Sequence, residues 1–399
     1  MNRLLHVEVG GGYGGSQRAL QLYLSGCDRS LFSHDVLFIY PAQGNEYFVP
    51  VAGRVQTLLP AQRPPAADRG GAGGWKNACP GWMRNAWRVL YPWLDFVRSI
   101  PLAFRIADFI RRGDYGLVHV NNTFSFHPAT LAAARLVGVP VIAHQRNPVP
   151  NTLFSRLSAR LTGGIACVNP LQASELSAFV AAPVRVCRDP IGKLKVNEEV
   201  TASLRQSLAP EGQILVGSTG RLSAQKGYRF LIEAAALVVS RNKSVRFVIA
   251  GEGEERDALE RLADKLGLRD YVRLLGFRQD IGSVLASFDV FVSSSLWEGL
   301  PLSVLEAMQL GKPIVCTPAG APPGVAPEAA GVEVVPAENA NALAGAILTL
   351  VGDAERRKRM AAAAKSASAS MEDERSISEF DKFAHEVAEV GHSQRLRHA

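Results

Sequence analysis

Leu296–Gly311 reads LWEGLPLSVLEAMQLG and follows directly on the apolar run Asp289–Ser295, DVFVSSS. The run reads as a buried strand that ends in small hydroxyl side chains. A sharp turn then carries Glu298, and Pro301 opens a helix that carries Glu306, because proline suits the first turn of a helix. Seven residues separate the two carboxylates, which is not the spacing of neighbours on one helix face. Glu298 is therefore expected on the loop at the carboxyl end of the strand, and Glu306 about one turn into the helix. Open α/β sheets bind ligands outside the carboxyl ends of their strands, and the free N–H groups of a helix start attract phosphate. The stretch predicts a ligand with a phosphate, flanked by hydroxyl-bearing parts that the two carboxylates hold.

Strand and helix patterns alternate on both sides of this stretch. Leu4–Val9, Asp35–Tyr40, Gly116–Asn121, Gly138–His144 and Gly164–Asn169 read as strands of a first series. Ile214–Ser218, Val245–Ala250 and Val272–Leu275 begin a second, which continues through the opening stretch to Pro313–Cys316 and Val332–Val335. Such alternation predicts parallel, doubly wound sheets, and 399 residues are enough for two domains with separate cores. The expected division is 1–190, 191–370, and a closing helix with a basic tail at 371–399 that packs back toward the first domain. The alternation fades near Val184–Glu199, where the crossing is expected.

Gly10, Gly12 and Gly15 match a G-x-G-x-x-G pattern after the first strand, which raises a dinucleotide-dependent oxidoreductase as one reading. That fingerprint also needs an acid after the second strand to hold a ribose. Here DVLFIY leads into Pro41, Ala42 and Gln43, with no carboxylate. A glycine loop that lets backbone approach a ligand is the remaining reading.

A hydrophobic content of 47% and a charged content of 20% describe an ordinary globular chain. Ala129–Ala143, its best apolar run, is short of the roughly 20 residues a membrane span needs and contains Arg135. Five scattered cysteines without C-x-x-C spacing fit reduced thiols in a cytoplasmic protein. The charge is uneven: 19 Lys/Arg face 10 Asp/Glu through residue 190, and 25 face 27 beyond it. A basic first half suggests an anionic partner there, such as the inner face of the cytoplasmic membrane; no nucleic-acid partner is expected. Aromatic and basic residues interleave over Trp82–Ile110, and four of the five tryptophans lie between Trp75 and Trp93. That composition suits either a lipid interface or packing inside a helical hairpin, and Pro92 and Pro101 exclude one continuous helix.

Gly220–Gly227, GRLSAQKG, follows the first strand of the second series and places Arg221 and Lys226 at the same strand ends as Glu298. Two cations there can neutralise a diphosphate and stabilise it as it departs. GRLSAQKG, the turn Ala250–Glu255, Leu274–Asp280 (LLGFRQD) and Ser294–Val315 occur in an order that resembles family-4 retaining glycosyltransferases of the two-domain GT-B architecture. The resemblance is close over Ile214–Ala346 and fainter before it, through Gly14–Leu20, His119 and GVPVIAH.

The resemblance implies two Rossmann-like domains facing across a cleft, a nucleotide-diphosphate sugar as donor, and a glycan or lipid-linked acceptor on the N-terminal domain. By it, Glu298 binds donor-sugar hydroxyls and Glu306 the ribose. Arg221 and Lys226 hold the diphosphate in the glycine-flanked loop that starts at Gly220, helped by N–H groups of Gly299, Leu300, Pro301, Leu302, Ser303 and Gly15, where proline contributes only its place in the turn. Gly251 lies in the neighbouring turn, Phe277 and Arg278 contact the base, and His144 lies beside the reacting sugar. No cofactor is implied, and the absence of a D-x-D cluster at a strand end agrees with metal-independent transfer. Two departures stand out: Gly324 lies near an expected acid, and Arg188–Gly192 replaces an asparagine–glycine hinge. A nucleotide-sugar epimerase on the same fold and a non-catalytic nucleotide-binding scaffold are the alternative readings; a phosphorylase lacks its cofactor-lysine motif here.

Overall fold

The computed structural model describes residues 2–10, 14–42, 44–60, 93–94, 96–210, 212–369, 371 and 373–398. Residues 61–92, with Trp82, Arg84 and Trp87 of the aromatic–basic segment, lie outside the described residues. The chain divides into two compact units, Met1–Pro190 with Asp373–Ala399, and Ile191–Glu372.

Unit 1 is built on β1 (Asn2–Glu8), β2 (Phe32–Phe38), β3 (Arg54–Thr57), β4 (Leu117–Val120), β5 (Val141–Gln145), β6 (Gly164–Cys167) and β7 (Val184–Val186). Every pairing is parallel, in the order β3-β2-β1-β4-β5-β6-β7. The central strands β4, β5 and β6 are buried along their whole length, which is why they read as continuous apolar runs. The edge strands β3 and β7 expose Arg54, Gln56, Thr57 and Arg185 beside half-buried valines, so they carry no such run in the sequence.

The helix Asp373–His398 returns to this sheet. Ile377, Phe380, Ala384, Val387 and Ala388 recur at helical spacing and bury against Leu4, Phe32, Leu117 and Ala166. The approach is close: a Cβ on Gly164 would stand 2.7 Å from Val387 and 2.8 Å from Phe383. Beneath the helix, parallel register sets His6 of β1 beside His119 of β4. His6 Nδ1 lies 2.8 Å from His119 Nδ1, and His6 Nε2 lies 3.0 Å from His34 Nδ1. Phe380 covers the row, 4.9 Å from the His119 ring and stacked on His144 at 5.3 Å. Burial drives His6 and His119 well below the ordinary imidazole range and His34 down to about 4, so these rings are neutral at physiological pH.

Unit 2 is built on β8 (Ile214–Thr219), β9 (Val245–Ala250), β10 (Val272–Gly276), β11 (Val290–Ser293), β12 (Ile314–Cys316) and β13 (Val332–Val334). These are again all parallel, in the order β10-β9-β8-β11-β12-β13. The order reverses between β1 and β4 in unit 1 and between β8 and β11 in unit 2. Those reversals are the places where an open α/β sheet parts its loops to admit a ligand. Unit 2 begins with the helix Glu198–Leu208, capped by Asn197, whose side chain accepts from the Val200 N–H; the sequence reading has no helix there.

Candidate active site

Lys226 and Glu298 meet across the reversal of the unit 2 sheet. Lys226 ends the short 3-10 turn Ala224–Lys226 in the loop after β8, and Glu298 sits in the loop after β11. Lys226 Nζ lies 2.7 Å from Glu298 Oε1, with both side chains largely buried. The carboxylate has two further donors: Ser295 Oγ at 2.8 Å to Oε1 and the Gln225 amide at 3.2 Å to Oε2. Charge-assisted hydrogen bonds of this kind fix a side chain more firmly than neutral ones.

The two loops are also joined through backbone. Leu296 N–H donates to the Gln225 carbonyl at 2.7 Å, and Ser294 Oγ to the Lys226 carbonyl at 2.8 Å. Thr317 Oγ1, after β12, donates to the Ser295 carbonyl at 2.5 Å. Gly227 makes this closeness workable. It has φ of 59°, and a Cβ there would stand 2.3 Å from the Ser294 carbonyl oxygen. Only glycine takes both the left-handed backbone and the contact without strain.

The other residues expected at the donor site fall at the same strand ends in different states. Gly220 follows β8, and Gly251 follows β9 so closely beside it that a Cβ on Gly251 would meet the Gly220 carbonyl. Arg221 is exposed and pairs with Glu254 at 3.0 Å, not with the Lys226–Glu298 group. Glu306 lies in the helix Leu302–Gln309, only 5% exposed. Pro301 caps that helix rather than forming its first turn, and Leu302 N–H turns back to the Leu300 carbonyl at 2.8 Å. Gly299 lies in the same loop, and Ser303 is the second residue of the helix. Phe277 is exposed after β10, while Arg278 forks onto Asp280 at 2.8 and 2.6 Å. Gln225 and Ser295, the neighbours that orient Glu298, are missed by the sequence reading. The position of Gln225 directly before Lys226 was the available signal.

Gly15 and His144 belong to unit 1. Gly15 begins the helix Gly15–Gly26 after β1. His144 lies in β5, 5% exposed. Arg146 Nη2 stands 3.3 Å from His144 Nδ1, and a guanidinium only donates, so Nδ1 accepts. The ring proton is then on Nε2, which donates to the Cys187 carbonyl at 3.1 Å. Burial, reinforced by the Arg146 charge, holds the ring well below its ordinary pKa. Arg146 also forks onto Asp189 at 2.7 and 2.8 Å and donates to Asn121 Oδ1 at 2.7 Å. Asn121 in turn donates to Glu8, whose burial raises its pKa to about 7 despite that bond and the Arg146 charge. The sequence reading missed this buried polar chain, because its members come from the ends of β1, β4 and β5 and from the start of the crossing. Among the described residues, no three His, Cys, Asp or Glu side chains converge to hold a metal ion.

Residues 200–367 match the family model for glycosyl transferases group 1. The alpha-D-kanosaminyltransferase of Streptomyces kanamyceticus is 34% identical over 162 residues, 40% of this chain and 42% of that protein. The UDP-Gal:alpha-D-GlcNAc-diphosphoundecaprenol alpha-1,3-galactosyltransferase of Escherichia coli is 26% identical over 250 residues, 56% of this chain and 62% of its own length. The matched stretches therefore span about half of these relatives. Among solved structures, HepE of Anabaena in complex with UDP and glucose has a TM-score of 0.73 at 20% identity, covering 98% of this chain and 100% of that one. Sucrose-phosphate synthase of Thermosynechococcus elongatus has a TM-score of 0.71 at 16% identity over the whole of both chains. The protein thus has the two parallel-sheet α/β domains of the GT-B fold, and its residues 200–367 match the glycosyl transferases group 1 model.

Proposed function

We propose that the protein is a retaining, metal-independent glycosyltransferase of family 4. It moves a sugar from a nucleotide-diphosphate sugar to a glycan or lipid-linked acceptor in cell-surface polysaccharide or glycolipid synthesis. The observation that carries this reading is the Lys226–Glu298 contact at 2.7 Å across the reversal of the unit 2 sheet. A cation and a carboxylate at one set of strand ends suit the phosphate and hydroxyls of a sugar diphosphate, which supports the reading. UDP stands bound in the HepE structure, and a lipid-linked sugar diphosphate is named as the acceptor of the Escherichia coli relative; both support the substrate classes assigned here.

In this reading Glu298 accepts from donor-sugar hydroxyls and Glu306 from the ribose, while Phe277 and Arg278 face the base. Lys226 takes the departing diphosphate, and Arg221 joins it by leaving Glu254, an exposed pair that holds it weakly. The acceptor oxygen attacks the anomeric carbon from the face the diphosphate leaves. As the bond to the phosphate oxygen breaks, that oxygen takes the acceptor's proton. Such a step depends on charge stabilisation and positioning more than on a protein nucleophile. His144, with both ring nitrogens engaged, is assigned to holding the edge of unit 1 through Arg146 rather than to proton transfer.

A thermal-shift screen of nucleoside diphosphates and their sugar conjugates identifies the donor, since stabilisation grows with ligand concentration over Kd. Turnover with that donor is then followed by release of the nucleoside diphosphate, and NMR of the product anomer reads the stereochemistry. Glu298→Gln and Lys226→Ala each lower kcat at least about tenfold. Full turnover in both variants refutes the site. Binding that survives Glu298→Gln in a protein with no turnover at all favours the scaffold reading.

A further inference from the structure

Seventeen large apolar side chains are exposed among the described residues, and eight of them fall on three adjoining pieces of unit 1. These are residues 93–94 and 96–104, the 3-10 turn Phe124–Phe126 and the helix Leu153–Ala159. Trp93 packs edge-on against Phe154, with ring centroids 5.3 Å apart, which ties the run into the helix Ile100–Gly113 to the helix Leu153–Ala159. The turn touches the latter helix as well. The three pieces form one stretch of surface.

Helical spacing accounts for what this surface presents. In Leu153–Ala159 the core takes Phe154, Ser155, Ser158 and Ala159, so Leu153, Arg156 and Leu157 turn outward, with Arg160 one position beyond. In Ile100–Gly113 the core takes Ala103, Ile106, Ala107 and Ile110, so Ile100, Phe104 and Arg105 turn outward. Val97 and Arg98 are exposed one turn earlier. Leu153 is 66% exposed and Phe104 62%, which is unusual for side chains of that size gathered in one place.

The charge on the same surface narrows what can cover it. Arg98, Arg105, Arg156 and Arg160 are exposed, and none forms an ion pair among the described residues; Arg156 meets only the Asn151 side chain. The one described carboxylate on the outward side of Ile100–Gly113, Asp108, is taken by Arg112. A protein-facing patch tends to exclude charge from its centre. Val97, Ile100, Phe104, Leu153 and Leu157 each lie within about a turn of Arg98, Arg105, Arg156 or Arg160, which have no ion-pair partner among the described residues. Arginine lays its stem along apolar surface and reaches outward with its head, so this mixture fits the boundary between acyl chains and phosphate headgroups.

We propose that this face of unit 1 docks the protein peripherally on an anionic lipid bilayer. Phe104, Leu153, Leu157 and Val97 enter the acyl boundary, and Arg98, Arg105, Arg156 and Arg160 meet lipid phosphates. This deepens the membrane contact expected from the basic first half by assigning it a surface. It rests on the proposed function only for its biological purpose. The measurement uses no nucleotide sugar, so its outcome and the outcome of the turnover assay are independent.

The test is cosedimentation of the full chain with vesicles of phosphatidylglycerol and phosphatidylcholine in equal parts, against phosphatidylcholine alone. The full chain is expected to pellet with the anionic vesicles and to be released by salt. Each surface arginine contributes about 1 kcal/mol, so Arg156→Glu with Arg160→Glu weakens binding by at least about twentyfold. Phe104→Ser with Leu153→Ser abolishes pelleting without lowering the melting temperature, because both side chains already face solvent. Arg261→Glu with Lys265→Glu, on exposed positions of unit 2, leaves binding intact. Pelleting unchanged in both face variants overturns the proposal. So does a wild-type dimer that the face variants convert to monomer with no change in pelleting, which makes the face a contact between copies.

Discussion

The Gln225 side-chain amide donates to Glu298 Oε2 at 3.2 Å and to the Trp297 carbonyl at 2.9 Å. One amide thus holds both the carboxylate and the backbone that carries it. Removing it leaves Lys226 and Ser295 to hold only the other carboxylate oxygen. Gln225→Ala is expected to reduce kcat/KM about tenfold, the scale of one hydrogen bond to a charged group, with Gln225→Asn intermediate or equally weak. Steady-state kinetics on the true donor decides it; an unchanged kcat/KM removes Gln225 from the site.

Arg221 gives the complementary case. Its partner Glu254 is more than half exposed, so the pair adds little stability. Glu254→Gln frees the guanidinium, and binding of the nucleoside diphosphate should tighten a few-fold while the melting temperature stays put. Calorimetric titration measures the first and a thermal melt the second. Weaker binding in Glu254→Gln indicates that Glu254 itself contacts the ligand.

Two buried groups make unit 1 sensitive to pH in opposite directions. His6, His34 and His119 bind protons more weakly folded than unfolded. Their contribution to stability is whole above the unfolded imidazole pKa of about 6.5 and is lost as pH falls toward 4. Glu8, with its pKa raised from 4.5 to about 7, holds its proton in the folded state. Its contribution is whole below 4.5 and is lost as pH rises through about 7. The three histidines outweigh Glu8, so the melting temperature of unit 1 should rise with pH from 4 to 6.5, and Glu8→Gln should steepen that rise by removing the opposing loss between 4.5 and about 7. An unchanged slope between pH 4.5 and 7 in Glu8→Gln contradicts a protonated Glu8.

Phe380 is 3% exposed against unit 1 although it lies near the end of the chain. Phe380→Ala should destabilise unit 1 by about 3 kcal/mol and leave unit 2 unchanged. Hydrogen exchange resolves the two; equal loosening of both units rejects the assignment of the last helix to unit 1.

Sequence and structure agree where physical signals are local and differ where contacts are distant. The strands β4, β5, β8, β9 and β11 were legible because sheets buried on both faces need unbroken apolar runs. The placement of Glu298 in a loop and Glu306 in a helix followed from spacing and one proline. The edge strands β3 and β7 escaped because Arg54, Gln56 and Arg185 face solvent there. Gln225 and Ser295 were invisible as a pair, because only the fold brings positions 225, 295 and 298 around one carboxylate. The Glu8–Asn121–Arg146–Asp189 chain needs four separate strand ends and loops to form, and no sequence window contains it.

The divided path of the chain sets an order of assembly. Residues 191–372 are contiguous and leave the ribosome as a complete unit, whereas unit 1 lacks its last helix until residues 373–398 emerge. Until then the side of its sheet around Leu4, Phe32, Leu117 and Ala166 has no cover from Phe380, Phe383 and Val387. The first half of the chain to be synthesised is therefore the last to be finished, and its apolar side is open to chaperones or aggregation throughout synthesis of the second. Chains stalled at residue 372 should show a protease-resistant unit 2 beside a protease-sensitive unit 1. Adding Asp373–His398 should close the gap.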